Sequence, residues 1–322
     1  MLKDRKMLFN DLTEFRSYSD GIETNQMVFD IRDLPEKPFK VENGNLSLET
    51  FKGTYPFRES ALNTTLSRLG LAGEAFRNPK TSDEILANVF NEMKHMLPQF
   101  MVVMLADGAV NSINSIGYKH IPMADVLDET VEMVSSFYRG KMNCEIVTCY
   151  ATTYIKFYTD KKVSFNGKER PLIVTLTNSE NGSSAIRYGA FVGRSLLPIM
   201  DDLAIMHKKN ASIEKVQDEL NQLEAVIEKA VERLVLLEST VLTTPISAVK
   251  KLGKDVGIPE KYRDDVVEQI EAAGTSKTYT AADIYEMITE AVMSGKDSPT
   301  IQERYKNNIL KLLGADWDRY AK

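Results

Sequence analysis

The chain has 322 residues, 43% of them hydrophobic and 27% charged, with a net charge of −6. These values describe a folded globular protein with material for a full core, in one large or two ordinary domains, and exclude a low-complexity chain. No run approaches the roughly 18 apolar residues that span a bilayer, and the charged start "MLKDRKMLFNDL" shows no secretory signal, so a cytoplasmic protein without a membrane partner is expected.

Residues 1–54 read as an irregular N-terminal segment with short hairpins, in which Asn43-Gly44 marks a type I′ turn. A helix over "YPFRESALNTTLSRLGL" follows, with Ala61, Leu62, Leu66 and Leu69 at helical spacing, and ends near Gly70. The next helix, "TSDEILANVFNEMKHML", has Ser82 as its cap and Asp83 and Glu84 in its first turn. Asp107-Gly108 turns a hairpin in "FMVVMLADGAVNSINS", and a helix runs from about Pro122 to Phe137.

A long β region comes next. "CEIVTCYATTYIKFYT" reads as one strand, with Cys144 and Cys149 on its opposite faces. Asn166-Gly167 turns the chain into "RPLIVTLTNS", and "SAIRYGAFVGR" is the return strand, so residues 172–194 form a hairpin with its tip at Glu180–Gly182. Asn181-Gly182-Ser183 matches a glycosylation acceptor in pattern only, because nothing here routes the chain to secretion.

From Arg194 onward the pattern reads as helix. Ile213, Val216, Leu220, Leu223, Ile227, Ala230, Leu234, Leu237 and Val241 keep a heptad spacing. The 212–241 helix therefore hides one face, against its own chain or against a second copy. Val226, Val231, Val235 and Leu236 widen the stripe toward packing within a bundle. Pro245, Gly257, Pro259, Gly274, Thr280 and Pro299 punctuate the shorter helices that complete the chain. The expected fold class is α+β, antiparallel and β-rich in the N-terminal and central region and helical in the C-terminal part. The units are 1–54, an α+β domain over 55–210, and a helical region over 211–322.

Catalytic signatures are scarce. There is no P-loop, no Gly-x-Ser-x-Gly elbow and no His-Glu-x-x-His. Asp201-Asp202 and Asp264-Asp265 are neighbours that do not share a helix face. Two cysteines and three histidines supply neither a disulfide framework nor a zinc site, and neither metal nor cofactor is expected. A cysteine nucleophile needs a positioned base. No histidine lies near Cys144 or Cys149 in sequence, so only the fold could bring one.

Charge is uneven along the chain. Residues 139–209 carry 11 Lys and Arg against 6 Asp and Glu, and the flanking thirds are acidic. Basic and aromatic residues interleave in and near this middle third: Tyr118 and Lys119, Arg139, Lys156 and Tyr158, Lys161 and Lys162, Arg187 and Tyr188, and Arg194. Aromatic faces stack on unpaired bases while cations hold phosphates, so the mixture suits single-stranded nucleic acid. The competing reading is an ordinary sheet whose edges carry Lys and Arg against aggregation.

The turn "LTNSENGSSAI", with Asn178, Ser179, Glu180 and Gly182, is followed by Arg194 and then by His207. Together with "ALNTTLSRLGL", "INSIGYKHIPMADVLDETVEMV" and "TAADIYEMITEAV", it resembles the phage and plasmid-like family called domain of unknown function 932. The resemblance runs in order over about residues 55–295. It departs after Arg194, where "RSLLPIMDD" lacks the family's Cys-x-Asn pair. It implies a gene of phage or mobile-element origin acting inside a bacterial host, and supplies no mechanism. The expected role is non-enzymatic binding or annealing of single strands. The alternative is an interaction or assembly protein, or an inhibitor of a host factor.

Overall fold

The computed structural model describes residues 1–71, 76, 81–182, 185–193, 197–208, 210–274, 277–295 and 299–321. The fold is α+β, with antiparallel sheets in the N-terminal and central regions and helices in the C-terminal part. Among the described residues no helix is long and apolar enough to cross a membrane.

The N-terminal part opens with β1 (Met7–Phe9), α1 (Leu12–Asp20), capped by the Asp11 carboxylate, and β2 (Thr24–Asp30). A three-stranded meander follows: β3 (Phe39–Glu42), β4 (Asn45–Thr50) and β5 (Gly53–Pro56). Then come α2 (Glu59–Arg68), α3 (Asp83–Glu92), β6 (Phe100–Ala106) and β7 (Ala109–Ser115). Strand β2 pairs with the β6–β7 hairpin. Asn43 and Asp107 both adopt positive φ before a positive-φ glycine, as type I′ turns require. Phe39, Phe57 and Phe90 pack at the centre of this region's core, with Leu46, Leu66 and Val103 around them.

The second core is larger. Helix α4 (Met123–Ser135) leads into β8 (Asn143–Thr148), β9 (Thr153–Phe165), β10 (Lys168–Asn178), β11 (Ile186–Val192) and β12 (Leu197–Ile205). With β1 they form a sheet ordered β1-β8-β9-β10-β11-β12, antiparallel throughout. One face buries Ile155, Phe157, Val174, Leu176 and Tyr188 against α4 and the long helix α5 (Ile213–Ser239). The heptad residues Val216, Leu220, Leu223, Ile227, Leu234 and Leu237 of α5 are buried within this core, so the stripe packs on its own chain. Helices α6 (Pro245–Asp255), α7 (Glu260–Ala273), α8 (Ala281–Met293) and α9 (Pro299–Leu313) follow, with α8 opened by a Thr280–Asp283 capping box.

Three expectations need correction. Val241 does not continue the heptad, because the long helix ends at Ser239 and Val241 is exposed in a two-residue strand. "CEIVTCYATTYIKFYT" is two strands, β8 and β9, joined by a tight turn at Cys149–Thr152 that the Cys149 N–H closes on the Thr152 carbonyl at 3.0 Å. The turn contains no Gly, Pro, Asn or Asp, so nothing in its composition marks it. Helix also does not begin after Arg194. Residues 197–205 are β12, the sheet's edge strand, where Pro198 costs no ladder bond that the interior needs.

Candidate functional site

Two places bring the singled-out residues together. The first is the sheet face opposite α4 and α5. Side chains alternate along β9, so Tyr154, Lys156 and Tyr158 lie half-buried on this face while Ile155 and Phe157 fill the core. Register extends the rows across neighbouring strands. Val147, Tyr154, Thr177 and Arg187 stand side by side, and Glu145, Lys156 and Thr175 form the next row. Lys156 sits over the Tyr154 ring at 5.7 Å. It also meets Glu145 at 3.4 Å, and the same carboxylate accepts the Tyr158 hydroxyl at 3.0 Å. The face is thus aromatic and mixed in charge. It is covered further across, where Ile173, Thr175 and Phe191 are buried and Lys306 lies over the Phe191 ring at 5.2 Å.

Of the residues expected to touch nucleic acid, Lys156, Tyr158 and Arg187 share this face. Tyr154 belongs with them and was missed, although its period-2 spacing from Lys156 and Tyr158 is readable in the sequence. Tyr118 and Tyr188 are buried, Tyr188 with its hydroxyl 3.0 Å from Thr130, so neither ring is open to a base. Lys161 lies 3.6 Å from Glu228 of α5 and over the Phe137 ring, on the helical side of the sheet. Lys119 and Arg139 are exposed elsewhere, the Arg139 N–H bonding to Asp160, and Lys162 is exposed farther along β9, at the same alternation as Lys156 and Tyr158. Arg194 lies outside the described residues.

The second place is the turn between β10 and β11. The hairpin forms as expected, with Gly182 at φ +73°. Its tip is not a solvated loop, because Asn178, Ser179 and Asn181 are buried. The Asn181 amide donates to the Ser60 carbonyl at 3.2 Å, and the Asn114 amide donates to the Asn181 carbonyl at 3.2 Å. Glu180 is fixed at three points. Its Oε2 accepts from His120 Nε2 at 2.5 Å, its Oε1 accepts the Met123 N–H at 2.8 Å, and its carbonyl accepts the Tyr118 hydroxyl at 3.0 Å. Burial holds the Tyr118 phenol protonated far above its ordinary range.

Glu180 and His120 border a cavity of about 200 Å³ between the two cores. Its walls are Phe15 and Tyr18 of α1, Met123 at the start of α4, Thr148, Cys149 and Tyr150 at the β8–β9 turn, and Asn111 of β7. Tyr150 is held from behind by the Arg58 guanidinium 3.4 Å over its ring and by its own hydroxyl donating to Asp107 at 2.7 Å. The fold brings a histidine and Cys149 to the lining of one cavity, which sequence spacing does not reveal.

Compared with protein-family models, curated proteins and solved structures, the chain matches none of them. The resemblance to domain of unknown function 932 therefore rests on the quoted residues alone.

Proposed function

We propose that the chain binds single-stranded nucleic acid across the open part of the six-stranded sheet, as a protein of phage or plasmid origin working inside a bacterial host. The observation that supports this is the β9 alternation Tyr154, Lys156, Tyr158, with Arg187 in register two strands away. Stacking needs unpaired bases, so single strands are preferred over duplex. The Glu145 carboxylate competes for Lys156, so a phosphate must displace it, and binding is weak and strongly salt-dependent.

Fluorescence anisotropy with a labelled oligonucleotide at low salt tests this. Lys156→Gln with Arg187→Gln should weaken binding and flatten the salt dependence by about 0.7 for each phosphate no longer neutralised. Tyr154→Ala should weaken binding at all salt concentrations. Changing Lys250, Lys251 and Lys254 to Glu should alter little, because they are exposed on α6 away from the sheet face. If no oligonucleotide binds at tens of micromolar protein, the interaction-protein reading takes its place. Leu8 favours that second reading: it is 69% exposed and paired with Val147 at the end of the same face.

A further inference from the structure

We infer that Cys149, His120 and Glu180 form a nucleophilic site for a small ester or thioester: a thiol, its general base, and the carboxylate that orients the base. Both Glu180 oxygens are committed, one to His120 Nε2 and one to the Met123 N–H, so the carboxylate cannot swing. An ionised carboxylate only accepts, so Nε2 carries the ring hydrogen and Nδ1 of the neutral imidazole keeps its lone pair. Among the described residues Nδ1 has no hydrogen-bond partner, and the ring lines the cavity. Cys149 lines the same cavity from the β8–β9 turn. Among the described residues its Sγ has only a long contact, 3.7 Å to the Thr152 carbonyl, so the sulfur is not tied tightly into the turn. A base with a fixed tautomer and a thiol lining the same cavity are the parts that thiol catalysis requires. Phe15, Tyr18 and Met123 make the cavity apolar enough to hold a short acyl chain, and its volume limits that chain to a few carbons. Cys144 is the contrast: it is buried in the sheet, and burial pushes its thiol up to about 11.

The reaction balances with water as the only co-reactant. As Sγ attacks the acyl carbon, its proton passes to His120 Nδ1. The new C–S bond forms, the bond to the leaving oxygen or sulfur breaks, and the imidazolium returns the proton to the leaving group. Water then gives its proton to Nδ1 and attacks the acyl carbon. The C–S bond breaks, releasing the carboxylic acid and restoring the thiol. Cys149 and His120 are the catalytic residues, and Glu180 is a positioning residue.

The full-length protein is treated with iodoacetamide from pH 5 to 9, and the alkylated residue is read by mass spectrometry. Cys149 should be alkylated at pH 7, and Cys144, buried in the sheet, should stay unmodified. His120→Gln should slow alkylation of Cys149 at pH 7 about tenfold, because the base that takes the thiol proton is gone. Glu180→Gln should slow it by less, because the base is still present but less well held. With p-nitrophenyl acetate, the wild type should release a burst of one p-nitrophenolate per chain and carry one acetyl group on Cys149, and Cys149→Ala should do neither. The wild-type measurements decide the matter even if a variant misfolds. A Cys149 that takes no acetyl group, or whose alkylation at pH 7 is the same in folded His120→Gln, overturns the inference. Neither reading depends on whether an oligonucleotide binds.

Discussion

Gly182 and the Tyr118 ring occupy one small space. A Cβ built on Gly182 would lie 2.5 Å from Tyr118 Cε2, and φ of +73° is strained for any other residue. Tyr118 cannot retreat freely, because its hydroxyl holds the Glu180 carbonyl. Gly182→Ala should therefore lower stability by about 1–3 kcal/mol, and a thermal melt reads this directly. The same variant should loosen Glu180 and slow alkylation of Cys149. An unchanged melting temperature would show that the turn tolerates a side chain. The chemistry of this turn thus lies in Glu180, and the Asn and Gly around it serve to bury and bend the backbone that carries Glu180.

Among the elements, α5 bears the clearest division of labour. Leu223 and Ile227 are fully buried against the sheet side of the larger core, while Leu236 is 64% exposed. Leu223→Asp or Ile227→Asp should unfold the chain or cost about 3–5 kcal/mol, because the new charge has no partner. Leu236→Asp should leave the melting temperature unchanged, and light scattering on it reports whether the exposed side joins two copies. A Leu223→Asp variant that melts like the parent would place the heptad face outside the core. The heptad of α5, the Ser82 and Thr280 caps and the Asn-Gly and Asp-Gly turns were legible because each is a local pattern with a local cause. The Cys149–Thr152 turn and β12 were not. The first bends without turn residues, and the second has a short apolar run whose period does not tell helix from strand. Tyr118 and Tyr188 read as binding residues because composition shows what a side chain offers but not which way it points. The pairing of His120 with Glu180 depends on how α4 starts beside the hairpin tip, a long-range contact without a local trace.

At the scale of the molecule, two apolar cores meet along a polar seam. Asn181 to Ser60, Asn114 to Asn181, and the Asn111 amide to the Tyr150 carbonyl at 2.8 Å cross it, and the cavity opens there. Cavities between packed units are common places for ligands. His207 also belongs to the seam. Its Nδ1 donates to the Lys119 carbonyl at 3.1 Å, its ring lies 5.7 Å from that of Tyr118, and its Nε2 is buried without a partner among the described residues. Burial pushes its pKa below the ordinary 6.5, and the nearby charge of His120 adds to this; the Lys119 carbonyl and Glu180 oppose it. A depressed histidine is neutral in the fold while the unfolded chain gains a proton. Its contribution is complete above about 6.5 and is lost as pH falls toward the lowered folded value. Each unit of depression removes about 1.4 kcal/mol by the end of that window. The melting temperature should therefore drop between pH 7 and 5, and His207→Gln should make the drop shallower. Hydrogen exchange should locate the acid loosening in β6, β7 and the β10–β11 turn before it reaches α5. Parallel pH slopes for the two proteins would mean that the seam owes its acid sensitivity to other groups.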